Sequence, residues 1–284
     1  MTPLPDWPRA WGPPIVFASI RATPSEFVVD EELDIDFANA GEHDWLRIEK
    51  TGANTDWVAR QLAKHAGVPA RDVGYSGLKD RHAVTTQWFS VKRSIKAPTD
   101  WAPFAADGVR ILQTRVHDRK LRRGTHRGNA FRIALGGPDV AARKDALDER
   151  LALISAQGVP NYFGEQRFGH GGANVELGRA VLEGKRLPRA KRSIGISALR
   201  SYEFNEALAA RVGAGTWNRL LPGDTANLDG TGSVFAVEAV TPELEARCAA
   251  LDVHPAGSLP ALEAPGVEAG WRPLRVRVRS LRWS

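Results

Sequence analysis

The chain has 284 residues, 43% hydrophobic and 25% charged, and a net charge of +6 from 39 Lys and Arg against 33 Asp and Glu. That length allows one large domain or two of moderate size, and either can bury a substantial core. The single Cys248 excludes an intramolecular disulfide framework and a cysteine-built metal cluster, and no apolar run is long enough to predict a membrane span.

The start, Met1-Thr-Pro-Leu-Pro-Asp-Trp-Pro8, lacks the charged and apolar regions of a signal peptide, so the cytoplasm is the expected location. Residues 15–20 and 27–29 read as short strands, joined through Pro24, which holds the residue before it extended. Residues 45–48 alternate like a half-buried strand. Asn54 or Thr55 then caps a helix with Val58, Leu62 and His65 at helical spacing. A glycine turn over 74–80 leads into a β-rich run over 84–91, and further strands are expected over 109–116 and 130–135. Residues 141–156 form a helix with Leu147, Leu151 and Ile154 on one side. This irregular alternation, with no dinucleotide-binding fingerprint, predicts an α+β domain with a mixed, largely antiparallel sheet.

Composition shifts near Gly158. Helices are expected over 175–183, 194–212 and 242–250, with short strands between 221 and 240. Residues 254–270, rich in Pro, Ala and Gly, read as a loop. A final strand over 274–278 runs on to Leu281 and Trp283.

The charge is unevenly placed. Arg115, Arg119, Lys120, Arg122, Arg123, Arg127 and Arg132 crowd one segment, and Lys185, Arg186, Arg189, Lys191 and Arg192 another. Arg275, Arg277 and Arg279 alternate with valines, which puts three guanidinium groups on one strand face. Three such patches suit phosphate contacts along an extended ligand. Each taken alone also fits a solvated surface.

The chemistry centres on Gly74-Tyr-Ser-Gly-Leu-Lys-Asp-Arg-His-Ala-Val84. A turn there presents one carboxylate, Asp80, between Lys79 and Arg81, and flanking cations favour its charged form. Such an acid serves as a nucleophile or as a partner for a sugar carbon. The same pattern fits a Gly-Asp turn with a surface salt bridge. The histidines lack zinc-site spacing, and no phosphate-binding loop of the nucleoside-triphosphatase type is present. The segment from His117 to Phe131 joins cations, glycines, Asn129 and an aromatic ring, a mixture suited to RNA. Pattern alone makes Phe27 and Phe131 core residues.

Four blocks carry a resemblance: Pro24-Ser-Glu-Phe-Val-Val-Asp-Glu31, the 74–85 motif, Arg119 to Phe131, and Pro160-Asn-Tyr-Phe-Gly-Glu-Gln-Arg-Phe-Gly169. In that order they resemble the TruD family of tRNA pseudouridine synthases. The resemblance implies a pseudouridine-synthase-type catalytic domain over 1–157 and 266–284, interrupted by a smaller α/β insertion (TRUD) domain over 158–265. It implies conversion of a tRNA uridine (position 13, in the D-arm) to pseudouridine by a monomer that needs no cofactor.

Asp80 falls on the catalytic aspartate, Phe27 on the base-stacking aromatic and Asn129 on the substrate-contacting asparagine. Lys79 matches the motif lysine expected to support Asp80 electrostatically. Arg21 holds a basic position, Phe131 lies beside the pocket, and Arg122 and Arg123 are expected on RNA phosphates. The family's chain continues beyond the counterpart of residues 274–283 into a glycine-serine-aromatic segment, whereas this sequence ends at Ser284. The rival reading is a non-catalytic tRNA-binding or tRNA-folding module.

Overall fold

The computed structural model describes residues 4–94, 97–262, 264 and 266–284. Pro265, the expected end of the insertion, and the first three residues of the proline-rich start lie outside the described residues. The chain divides into two units, Val16–Ala142 and a second made of Met1–Ile15 with Arg143–Ser284.

The Val16–Ala142 unit carries strands β1 (Phe27–Glu32), β2 (His43–Thr51), β3 (Val73–Tyr75), β4 (Val84–Lys92), β5 (Val109–His117) and β6 (Gly128–Ile133), with helix α1 (Thr55–Ala66). The strands run β5-β2-β4-β1-β6, with β3 added on β4. β1 and β4 are parallel, with Val28 opposite Val84, and every other pairing in this sheet is antiparallel. The expected mixed, largely antiparallel sheet is therefore present.

Alternation in β2 puts Leu46 and Ile48 on one face, where they meet Val58, Ala59, Leu62 and Ala63 of α1 and Phe89 and Val91 of β4. Val58 and Leu62 are fully buried, each contributing about 1.5–3 kcal/mol. The other face gathers Trp45, Trp88 and Leu121. α1 stops at Gly67, whose φ of 65° is the left-handed cap that glycine adopts without strain.

Neither Asn54 nor Thr55 caps α1 with its side chain, because the Thr55 hydroxyl donates to Gln87 instead, at 2.9 Å. The expected strand over 15–20 is reduced to a single bridge between Ser19 and Gly136. Phe17 finds no cover at 90% exposure, and Arg21 turns left-handed at φ 63°, which ends any extension.

The second unit holds α2 (Lys144–Gln157), β7 (Val159–Pro160), α3 (Ala173–Leu182), α4 (Arg189–Gly213), β8 (Thr225–Leu228), β9 (Val234–Ala236), α5 (Pro242–Ala249), β10 (Val253–Leu259), β11 (Gly270–Pro273) and β12 (Arg275–Val276). It contains the 158–265 segment and also residues on both sides of it. Trp11 donates to the Gly158 carbonyl at 3.1 Å, and β12 pairs with β7, so the ends of the chain fasten to that segment. α3 and α4 approach through Gly178 and Gly195, where a Cβ on either would collide with the other helix's backbone.

Two expectations fail here. The loop over 254–270 begins as β10, the inner strand of a four-stranded sheet ordered β11-β10-β8-β9, because ladder partners on both edges override its composition. The final strand over 274–278 shortens to the two residues of β12. Its three arginines do not share one outward face, because Arg275 is buried while Arg277 and Arg279 are exposed and paired with carboxylates. Arg275 is 3% exposed and donates to His254, Cys248 and Val253, Arg277 lies 3.8 Å from Asp252, and Arg279 pairs with Asp229 at 2.7 Å. Of the other basic clusters, the 115–132 arginines and Lys120 are exposed, as are Lys185, Arg186, Arg189 and Lys191. Among the described residues no helix is long and apolar enough to cross a membrane.

Candidate active site

The site follows from the one parallel pairing. Because β1 and β4 run the same way, their N-terminal ends meet, and the chain entering each brings a functional group to that end. Asp80 lies in the turn entering β4, while Arg21 precedes β1 and Phe27 opens it. β6, antiparallel to β1, sets Asn129 opposite Glu31 and Phe131 opposite Val29. Residues two apart on a strand share a face, so Phe27, Val29 and Glu31 point the same way with their β6 partners.

The turn is clamped from below. The Lys79 amide donates to the Thr55 hydroxyl at 3.0 Å, the Thr55 hydroxyl donates to Gln87, and the Gln87 amide donates to the Gly77 carbonyl at 3.1 Å. Lys50 Nζ donates to the Asp80 carbonyl at 2.8 Å and the Lys79 carbonyl at 3.4 Å. Lys50 is fully buried. Burial pushes its pKa from 10.5 down to about 8, with Lys79 acting the same way and Asp80 opposing.

The cations that flank Asp80 in sequence find their direct partners elsewhere. Side chains alternate along the turn: Leu78 and Asp80 are exposed while Lys79 points inward. Lys79 Nζ pairs with Glu31 at 2.9 Å, both side chains being buried, and Glu31 also accepts from the Trp88 amide. Arg81 donates to the Gly52 carbonyl. Asp80 keeps 54% of its side chain exposed and is met by Arg21 at 3.2 Å.

Arg21 also covers Phe27, its guanidinium carbon 3.8 Å from the ring centroid. Phe27 is 6% exposed, so it has the burial of a core residue, yet one ring face carries a cation in place of apolar packing. Phe131, 58% exposed, meets Phe27 edge-on at 6.0 Å. Asn129 Oδ1 is buried with no hydrogen-bond partner, a condition that proteins rarely leave without a use. Asp80, Arg21, Phe27 and Phe131 are thus linked in turn at the start of β1, while Asn129, opposite Glu31, lies further along the strand.

Arg122 and Arg123 sit on the exposed segment after β5, with Arg123 donating to the Tyr75 hydroxyl at 3.1 Å. Ser76 ties this segment to the Asp80 turn: its hydroxyl accepts from the His126 amide at 2.8 Å and meets His126 Nδ1 at 2.6 Å, and its carbonyl accepts from Gly124. Sequence reading missed Ser76, Glu31 and Lys50. Lys50 had a signal, because a lysine in phase with Leu46 and Ile48 falls on the buried face of β2. Among the described residues, no group of three or more His, Cys, Asp or Glu side chains could hold a metal ion.

The sequence model of the family described as tRNA pseudouridine synthase D (TruD) matches residues 10–186. A tRNA pseudouridine synthase D from Methylococcus capsulatus is 47% identical over 256 residues, covering 89% of this chain and 72% of that protein. One from Aeromonas salmonicida is 47% identical over 249 residues, covering 87% and 70% respectively. The fold also matches a crystal structure from Methanosarcina mazei assigned to tRNA pseudouridine synthase D. The TM-score is 0.68 at 19% identity, over 90% of this chain and 75% of that one. The chain therefore belongs to the TruD family of tRNA pseudouridine synthases, which are isomerases.

Proposed function

We propose that Asp80 drives the isomerisation of a flipped-out uridine, position 13 in the D-arm of tRNA, and that the end of the sheet around Phe27 is its pocket. A base stacked in RNA is out of reach, so the nucleotide must be extruded before chemistry can occur. Phe27 offers a ring face to replace the lost stacking. The Arg21 guanidinium stands on that face in the free protein, so an arriving uracil takes its place while Arg21 keeps its hold on Asp80.

Asn129, with its buried unpartnered oxygen, fits the donor edge of uracil, since a site built to bond an N–H group leaves an acceptor waiting. Phe131 forms the lip, and the exposed Arg122 and Arg123 suit contacts with the RNA. In the net reaction the N1–C1′ bond breaks, a C5–C1′ bond forms, and the proton lost from C5 is matched by one gained at N1. Atoms and electrons balance within one nucleotide. The Asp80 carboxylate acts on the detached sugar and base, held in place by the Lys50 and Thr55–Gln87 clamp. In this reading the protein acts as a monomer, with residues 158–265 as the insertion domain.

The observation that carries this reading is the meeting of Asp80, Arg21 and Phe27 where two parallel strands begin. The test is to incubate the purified protein with unmodified tRNA and map pseudouridine chemically. Conversion at one D-arm uridine is expected. Tight tRNA binding with no conversion anywhere would replace the enzyme with a binding or folding module.

A further inference from the structure

Next to the catalytic turn, on the Tyr75 side of β3, lies a cleft of about 530 Å³, within the range of small-molecule and nucleotide sites. Its charge is one-sided: Arg60, Arg71, Lys120, Arg122 and Arg123 line it against the single carboxylate of Asp56. That carboxylate accepts the Tyr75 hydroxyl. The Arg123 guanidinium lies over the Tyr75 ring, 5.1 Å from its centroid, and bonds the same hydroxyl at 3.1 Å, so its plane is held in place. RNA-binding proteins stack unpaired bases on such planes.

The cleft is built, not accidental. Lys120 Nζ donates to the Arg71 carbonyl and fastens one wall. At Gly74 any Cβ would collide with the Leu121 carbonyl, so only glycine lets β3 approach the arginine segment this closely. Lys120, Leu121 and Arg122 also line a second cavity of about 580 Å³, with Arg119. The cationic lining therefore continues past one pocket, as a polymer would need and a mononucleotide would not. Tyr75 is five residues before Asp80, a reach of at most about 18 Å along the chain. The arginine segment is bonded to Ser76 within that stretch.

We infer that this cleft is a second RNA subsite. It takes a nucleotide flanking the target, with the base on the Arg123–Tyr75 pair and the neighbouring phosphates on Arg60, Arg71 and Arg122. The inference rests on the tRNA reading above and adds the place where the substrate's neighbouring segment is held.

The test measures the affinity of the full chain for an unmodified tRNA transcript across a salt series. Each of Arg60→Ala and Arg71→Ala should weaken binding and flatten the slope of log Kd against log salt by about 0.7–0.9. Arg123→Lys keeps the charge but loses the flat stacking plane, so it should weaken binding about five- to tenfold at an unchanged slope. Wild-type slopes in both alanine variants, or wild-type affinity in Arg123→Lys, would overturn the subsite. Pseudouridine formation by the unsubstituted protein is scored separately. Its absence alongside the expected binding changes would sink the catalytic reading and leave the subsite standing.

Discussion

Two clusters in this protein use the same residue types to opposite ends. Around Asp80, a carboxylate, an arginine and a lysine meet, and around Asp229 a carboxylate, two arginines and a histidine do. In the second cluster every strong group is matched. His254 Nε2 meets Asp229 at 2.9 Å, Arg275 Nε donates to His254 Nδ1 at 2.9 Å, and Arg279 closes the other oxygen of Asp229 at 2.7 Å. Because the Arg275 Nε–H can only donate, His254 Nδ1 must accept, which holds the imidazole neutral. Burial depresses its pKa in the same sense. Near Asp80 bonding capacity is left over: Asp80 has one cation and half its surface in solvent, and the buried Asn129 Oδ1 on β6 has no partner. A closed network holds a fold together, whereas groups kept in position with bonding capacity left over are available to a substrate.

The comparison predicts that damage at the two clusters separates cleanly. Asp80→Asn should lower turnover by roughly 10³-fold or more while tRNA affinity and thermal stability stay near wild type. An exposed pair with Arg21 contributes at most about 1 kcal/mol to stability. Turnover assays beside thermal melts would check this, and wild-type conversion would remove Asp80 from the mechanism.

Arg275→Ala should do the reverse, destabilising the fold by about 3 kcal/mol or more in denaturant titrations, since it strands buried acceptors and Asp229's neighbour. The salt dependence of tRNA binding should not move. A flattened slope would return the 275–279 arginines to the phosphate-binding role that their alternation suggests.

Lys50 sharpens the comparison from beneath the site. Its folded pKa of about 8 lies below its unfolded value, so the unfolded chain binds more protons between pH 8 and about 10.5. The cost of burying the ammonium is fully present below pH 8 and is relieved as pH rises through that window. The unfolding free energy of the wild type should therefore climb relative to Lys50→Met between pH 8 and 10.5, and parallel curves would refute it. The same variant should lose turnover through a loosened Asp80 turn.

The smallest effect is expected at Ser76. Ser76→Ala removes both bonds that its hydroxyl makes with His126, at a cost of about 1 kcal/mol or slightly more in stability. A several-fold fall in kcat/KM should accompany it, because only the bond between the Gly124 amide and the residue 76 carbonyl would still tie the arginine segment to the Asp80 turn. Unchanged kinetics would reduce the pair to local packing.

Much of the architecture could be read from short-range patterns. The 3.6-residue spacing of Val58 and Leu62, the β-branched and aromatic run from Val84, and the glycine turn around Asp80 depend on local sterics and on which face is apolar. Among the elements that match, α1, β4 and the turn before β4 lie where those patterns are strongest. Part of the candidate site was also legible, through the four blocks that resemble a known family, though Lys50 and the ties made by Ser76 and Glu31 were not. Partners were not. Whether Lys79 faces Asp80, one residue away, or Glu31, 48 residues away, is decided by the parallel register of β1 and β4.

The same limit explains β10 and Arg275. A stretch containing Pro255 and Gly257 becomes an inner strand because β8 and β11 are there to bond it. An arginine on an alternating strand turns inward because His254, Cys248 and Val253 supply acceptors that no neighbour in sequence could announce. Sequence alone determined the helices and the principal strands, since backbone sterics and hydrophobic period act over a few residues. Only the tertiary structure decided which charges are satisfied and which remain free, because hydrogen bonding and desolvation depend on groups that folding brings together from distant parts of the chain.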